Sequence, residues 1–126
     1  LVNTDLTQTN LESTDLAGAK LREANLKGAD LKNTDLTDGR LLSADLTDGD
    51  LRGANLTNAH LRFADLTNAD LRAVNLTDAD LESSTLIGTN LFDADFTRMT
   101  PYGARIDGVK INDETNVHTN IDDYKS

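Results

Sequence analysis

The sequence has no cysteine and no tryptophan, one proline and one methionine. Without cysteine there is no disulfide, no thiolate nucleophile and no cysteine-held metal. Aromatic residues make up 4% of the chain and hydrophobic residues 37%, thin for an ordinary globular core. Basic residues are also scarce: Lys and Arg number 12 against 22 Asp and Glu, a formal net charge of −10. That balance argues against direct nucleic-acid binding, which needs cations to neutralise phosphates. No run of about 18 apolar residues exists, so no membrane span is expected. No signal or transit segment is recognisable, and the chain begins on Leu1 rather than Met. Its 126 residues suit a single domain.

What is present is a repeat. Every fifth residue from Leu1 to Leu91 is leucine, and Leu42 alone lies off the register. Phe96, Ile106, Ile111 and Ile121 continue the phase; Pro101 and Asn116 break it. Two places before each leucine stands a small residue, most often Ala, with Thr, Gly, Val or Ser elsewhere. The residue between is Asp or Asn throughout residues 5–95 except at Lys20, Arg40, His60 and Thr85. The unit is therefore small, Asp/Asn, Leu, polar, polar.

A period of five suits neither common element. On a helix, successive leucines would drift by about 140°. On a straight strand, an odd period would put alternate leucines on opposite sides. A short extended piece that turns after each unit hides them all, with small and Leu side chains inward and Asp/Asn outward. The last two places form the corner. Gly18, Gly28, Gly53, Gly88, Asn33, Asn58 and Asn68 stand at its second place, where Gly and Asn tolerate unusual backbone angles. Repeated corners coil the chain, each coil pairing with the next through its backbone. Low apolar content is then no obstacle, because one buried leucine per five residues contributes about 1.5–3 kcal/mol before entropy.

Units such as Ala24-Asn25-Leu26-Lys27-Gly28 and Ala64-Asp65-Leu66-Thr67-Asn68 resemble the A(D/N)LXX motif of the pentapeptide repeat family, in a cyanobacterial-type form. The resemblance implies an all-β fold, a right-handed quadrilateral β-helix solenoid of about six coils. Residues 1–100 would form the regular repeat. Residues 101–126 would form degenerate repeats and a C-terminal cap of the same domain, with Val109, Ile111, Val117, Ile121 and Tyr124 folded over the leucine stack. No comparable cap is visible at the N-terminal coil, where Leu1, Leu6, Leu11 and Leu16 would be open to end-to-end self-association. Basic residues and Thr alternate after the leucines, which fits an even number of sides.

At twenty residues per coil, two opposite faces should be acidic. One carries Asp15, Asp35, Asp38, Asp78 and Asp95 with Thr37, Thr57, Thr77 and Thr97; the other carries Asp45, Asp48 and Asp65 with Thr7, Thr47 and Thr67. A third face sets Lys32, Arg52 and Arg72 beside Asp30, Asp50 and Asp70, an expected ion-pair ladder. The fourth departs from the rule. Lys20, Arg40 and His60 replace Asp/Asn, Arg22 and Arg62 lie beside them, and Leu42 and Phe63 are apolar where polar residues are usual. These seven residues form the candidate partner patch, since Arg and aromatic side chains are enriched at interface centres.

Nothing in the sequence points to catalysis, a cofactor or a metal. His60 and His118 fit no zinc spacing, and the Asp columns lack a calcium loop. Ser13, Ser43, Ser83 and Ser84 have no evident base. The glycosylation-like triplets Asn55-Leu56-Thr57 and Asn75-Leu76-Thr77 follow automatically from the repeat. The expected function is a noncatalytic scaffold that presents charged β-helix faces to a protein partner of unknown identity. The alternative is a DNA mimic that binds DNA gyrase, an activity of some members of the family. The expected location is soluble and cytoplasmic, with a lumenal or periplasmic one left open by the missing Met.

Overall fold

A computed structural model of the chain describes residues 1–113 and 115. Its regularity follows from where each five-residue unit places its five N–H groups, as the unit Ala64 to Asn68 shows. The Asp65 N–H donates to the Ala44 carbonyl of the preceding revolution at 3.0 Å. The N–H groups of Leu66 and Asn68 donate to Thr85 and Ile87 of the following revolution at 2.7 and 2.8 Å. The Thr67 N–H donates to Asp65 Oδ1 at 3.0 Å. The next small residue, Ala69, donates back to the Leu66 carbonyl at 2.9 Å and closes the corner. No main-chain donor of the unit is left over, as buried backbone requires.

The corner is a four-residue turn running from each Leu to the small residue three places on. Its third residue has positive φ at every fifth position from Asn3 to Gly108. Positive φ at that place is the mark of a type II turn. Gly18 takes it at φ +67°, and a Cβ there would meet no atom within 4 Å. Asn, Asp and Ser fill most other corners, but Phe63 and Ala73 also accept the angle, at 59° and 58°.

Twenty residues complete one revolution. Asp5 pairs with Asn25, Asn10 with Asp30, Asp15 with Asp35 and Lys20 with Arg40, all in parallel, and the series continues to Asn90 with Lys110. Stacked backbones of this kind lie about 4.8 Å apart. Every fifth residue from Leu21 to Leu91 is a buried leucine, with Phe96 and Ile106 continuing their line, and Ala at the small position fills the space between. Leu6, Leu11 and Leu16 are only partly buried. Pro101 occupies a leucine place, is buried, and accepts the Ala104 N–H at 2.9 Å. The turns therefore run on past it to Lys110.

The expected all-β, right-handed quadrilateral β-helix is not what the structure contains. Among the described residues there is no β-strand and no sheet: every pairing is an isolated bridge of one residue. The physical reason lies in the length of the unit. After each bridged Asp or Asn the chain passes through Leu and enters a turn, so two consecutive residues never extend a ladder. For the same reason neither β-helix nor solenoid describes it, and the described residues form a column of stacked turns.

Of the proposed cap, Val109 packs against the core, while Ile111 is 37% exposed. Thr115 is buried; its hydroxyl donates to the Leu91 carbonyl at 3.1 Å and accepts the Asn112 N–H at 3.0 Å. Asn116, Val117, Ile121 and Tyr124 lie outside the described residues.

Candidate functional site

The recurring Asp/Asn does more than face outward. Its Oδ1 accepts the N–H two residues on, an Asx turn that fixes the entry to each corner. At several of these places a Thr follows and its hydroxyl donates to the same oxygen, as Thr7 does to Asp5, Thr57 to Asn55 and Thr67 to Asp65, each at 2.6 Å. The hydroxyls of Thr7 and Thr37 hold the carboxyls of Asp5 and Asp35 below the usual aspartate range.

The register of Lys20, Arg40 and His60 lacks this acceptor three times in succession. These residues are bridged in line, Lys20 to Arg40 and Arg40 to His60. The N–H groups of Arg22, Leu42 and Arg62, two places on, consequently have no Asx oxygen, and the motif resumes only where Asp80 accepts from Glu82 at 3.0 Å. A cavity of about 500 Å³ opens over this stretch, lined by Val2 with Lys20, Arg22, Arg40, Leu42, His60 and Arg62. Six of the seven residues singled out from the sequence are thus brought together. The seventh, Phe63, is the second central residue of the same corner as Arg62; it is 57% exposed and does not line the cavity, although its ring lies 5.9 Å from the Arg62 guanidinium.

The charges there are unevenly satisfied. Arg62 reaches Glu82 at 3.0 Å and Arg22 reaches Glu23 at 3.6 Å. Lys20 and Arg40 have no carboxylate within ion-pair distance among the described residues. Arg62 Nε is buried with no hydrogen-bond acceptor. The sequence did not signal Val2, which the twenty-residue stack sets beneath Arg22.

The opposite register, two units on, holds the ion-pair ladder. Lys32 lies 3.4 Å from Asp30, and Arg52 and Arg72 each lie 2.6 Å from Asp50 and Asp70. Arg52 also reaches Asp70, one revolution on, at 3.8 Å. Hydrogen bonds from Arg52 and Arg72 hold the carboxyls of Asp50 and Asp70 below the ordinary range and raise both guanidinium groups. The acidic registers carry fewer cations. Arg98 pairs with Asp78 at 2.6 Å, while Asp45, Asp48 and Asp65 have no ion-pair partner among the described residues. No group of three or more metal-ligating side chains is assembled among the described residues, and no helix there is long and apolar enough to cross a membrane. His118 lies outside the described residues.

Comparison with known proteins decides the family. The family model for pentapeptide repeats matches in eight copies, over residues 1–38, 40–78 and 59–98. The chain belongs to the pentapeptide repeat family. As a pentapeptide repeat protein it is structural and noncatalytic. No curated protein matches at a significant level.

Solved structures that resemble it include a pentapeptide repeat protein from the Arabidopsis thaliana thylakoid lumen, 29% identical, covering 98% of this chain and 72% of that one, with a TM-score of 0.40. A pentapeptide repeat protein from Nostoc PCC 7120 is 26% identical, covering 83% of this chain and 86% of that one, with a TM-score of 0.42. QnrB1, a plasmid-mediated fluoroquinolone resistance protein, is 18% identical, covering 88% of this chain and 79% of that one, with a TM-score of 0.36.

The expected scaffold role required charged β-helix faces. With no strand or sheet among the described residues, those faces do not exist, and the role is withdrawn with them.

Proposed function

We propose that this pentapeptide repeat protein is a noncatalytic DNA mimic that binds the cationic DNA-binding surface of another protein, with DNA gyrase as the candidate. The observation that carries the reading is the stacking of carboxylates at a fixed interval. Asp45 and Asp65 are bridged in line with Asp48 on the corner beside them, and Asp15 and Asp35 are bridged in another register. Bridged neighbours lie about 4.8 Å apart along the column, comparable to the roughly 3.4 Å of helix axis per phosphate of each DNA strand. A net charge of −10 gives the column a polyanionic character that favours attraction to a basic channel. The cations of the Lys20 register form a separate column, one unit away from each of these Asp registers. A gyrase partner places the protein where DNA is, in keeping with a cytoplasmic location. We place the chain among cyanobacterial-type members because the family is especially abundant there.

Gyrase supercoiling assayed with micromolar protein at low salt tests the reading. Inhibition is expected, and it should weaken in the triple variant Asp45→Asn, Asp48→Asn, Asp65→Asn. Asparagine keeps the Asx acceptor, so that variant should stay folded while losing three charges. Raising the salt should also relieve inhibition, since exposed charges are screened. No inhibition by the folded protein, or equal inhibition by the variant, overturns the proposal.

A further inference from the structure

The cavity over Lys20, Arg40 and His60 is a built gap in the Asx series. In the register of Asp30, Asp50 and Asp70, a side-chain oxygen accepts the first corner N–H on each revolution. Over three consecutive revolutions of the cationic register that oxygen is missing, so the N–H groups of Arg22, Leu42 and Arg62 face the place a carboxylate occupies elsewhere. Two of the side chains standing there instead, Lys20 and Arg40, carry positive charge without an ion-pair partner among the described residues. They are stacked one bridge apart, about 4.8 Å, and repel each other. Leu42 gives the cavity an apolar wall.

We propose that this cavity binds a small organic dicarboxylate, whose two carboxylates take the places of the missing Asp side chains on adjacent revolutions. Each carboxylate would accept a main-chain N–H, from Leu42 and from Arg22 or Arg62, and would neutralise Lys20 or Arg40. The methylene link between them would lie on Leu42. Charge-assisted hydrogen bonds of this type are stronger than neutral ones. A dicarboxylate fits better than a single anion because two stacked cations and successive free N–H groups recur at one interval. Glu23 and Glu82, which hold Arg22 and Arg62, bound the site and disfavour a longer polyanion. The proposal does not depend on the DNA-mimic reading, since the two use different registers.

The test is titration of the ¹⁵N-labelled protein with glutarate at low salt, with acetate and inorganic phosphate in parallel. Saturable shifts of the Arg22, Leu42 and Arg62 amides are expected, with glutarate at least about tenfold tighter than acetate. Arg40→Asp restores an acceptor for Leu42 and removes a cation; it should abolish these shifts without lowering the melting temperature. Lys27→Gln, a cation in another register, should leave them unchanged. Absence of saturation overturns the proposal, as do equal affinity for acetate, tighter binding of phosphate, or retained binding in folded Arg40→Asp.

Discussion

Asp50 and Arg52 face each other through two nearly parallel hydrogen bonds: Arg52 Nε donates to Oδ1 at 2.9 Å and Nη2 to Oδ2 at 2.6 Å. The same carboxylate accepts the Arg52 main-chain N–H at 3.3 Å. One side chain thus secures both the turn and the charge of its neighbour. Arg52 then reaches Asp70 and ties one revolution to the next.

The ladder predicts a definite pH response. The carboxyls of Asp50 and Asp70 are depressed in the folded protein, chiefly by the hydrogen bonds from Arg52 and Arg72. A depressed carboxyl contributes stability above its unfolded value and loses it as pH falls through the folded value. The melting temperature should therefore drop as pH goes below 3.8, the ordinary aspartate value. The double variant Asp50→Asn, Asp70→Asn should show a shallower drop. Both carboxylates are partly exposed, so the difference should shrink in high salt.

Removing one Asx acceptor should cost measurable stability. Asn55 Oδ1 accepts both the N–H and the hydroxyl of Thr57, at 3.0 and 2.6 Å. Asn55→Ala is expected to destabilise by about 1 kcal/mol in urea unfolding, whereas Asn55→Asp should be close to neutral. Equal losses for the two would show that the acceptor oxygen is not what matters at this position.

Ser84 is a buried defect. It occupies the small inner place, is fully buried, and its hydroxyl has no partner. At the same place one revolution before and after stand Ala64 and Ala104, both buried. Ser84→Ala should stabilise the protein by about 1 kcal/mol, because an unsatisfied buried hydroxyl is removed without changing the packing. Thr34 differs, since its hydroxyl donates to the Leu11 carbonyl at 2.9 Å, and Thr34→Ala should destabilise.

Ala73 tests the corner. It holds φ +58° without a side chain that bonds locally. A left-handed angle costs an L-residue roughly 1–2 kcal/mol, and glycine avoids this at an entropic cost of about 0.5–1 kcal/mol. Ala73→Gly should raise the melting temperature slightly. A clear fall would mean that the Ala73 methyl packs favourably.

The inward leucines, the small residues and the corners were legible in the sequence, because each follows from a strict period and from the residues that tolerate positive φ. Gly18 and Asn68 both turn where their chemistry suggests. The β-helix was not there to be read. A pattern of inward and outward places does not state how many consecutive residues pair, and between Asp65 and Ala69 a turn intervenes before a second pair can form. The cationic cavity was foreshadowed by the departures at Lys20, Arg40 and His60. Its main-chain contribution was not, because the role of Asp as an acceptor for the residue two places on becomes visible only with coordinates. Val2 was within reach of the twenty-residue spacing, which sets it in line with Arg22 and Leu42, but an isolated apolar residue in the first unit carries no signal of its own.

The core, the charge columns and the cavity all depend on the twenty-residue register. Because the sequence has no cysteine, a disulfide reports it cleanly. Asn55 and Asn75 are bridged and should lie about 4.8 Å apart, within the range a disulfide spans. The double variant Asn55→Cys, Asn75→Cys should oxidise readily within the monomer, while Asn55→Cys, Asp70→Cys, offset by one unit, should remain reduced. Rapid bridging of the offset pair, with the in-line pair left reduced, would mean that the turns do not stack at twenty residues.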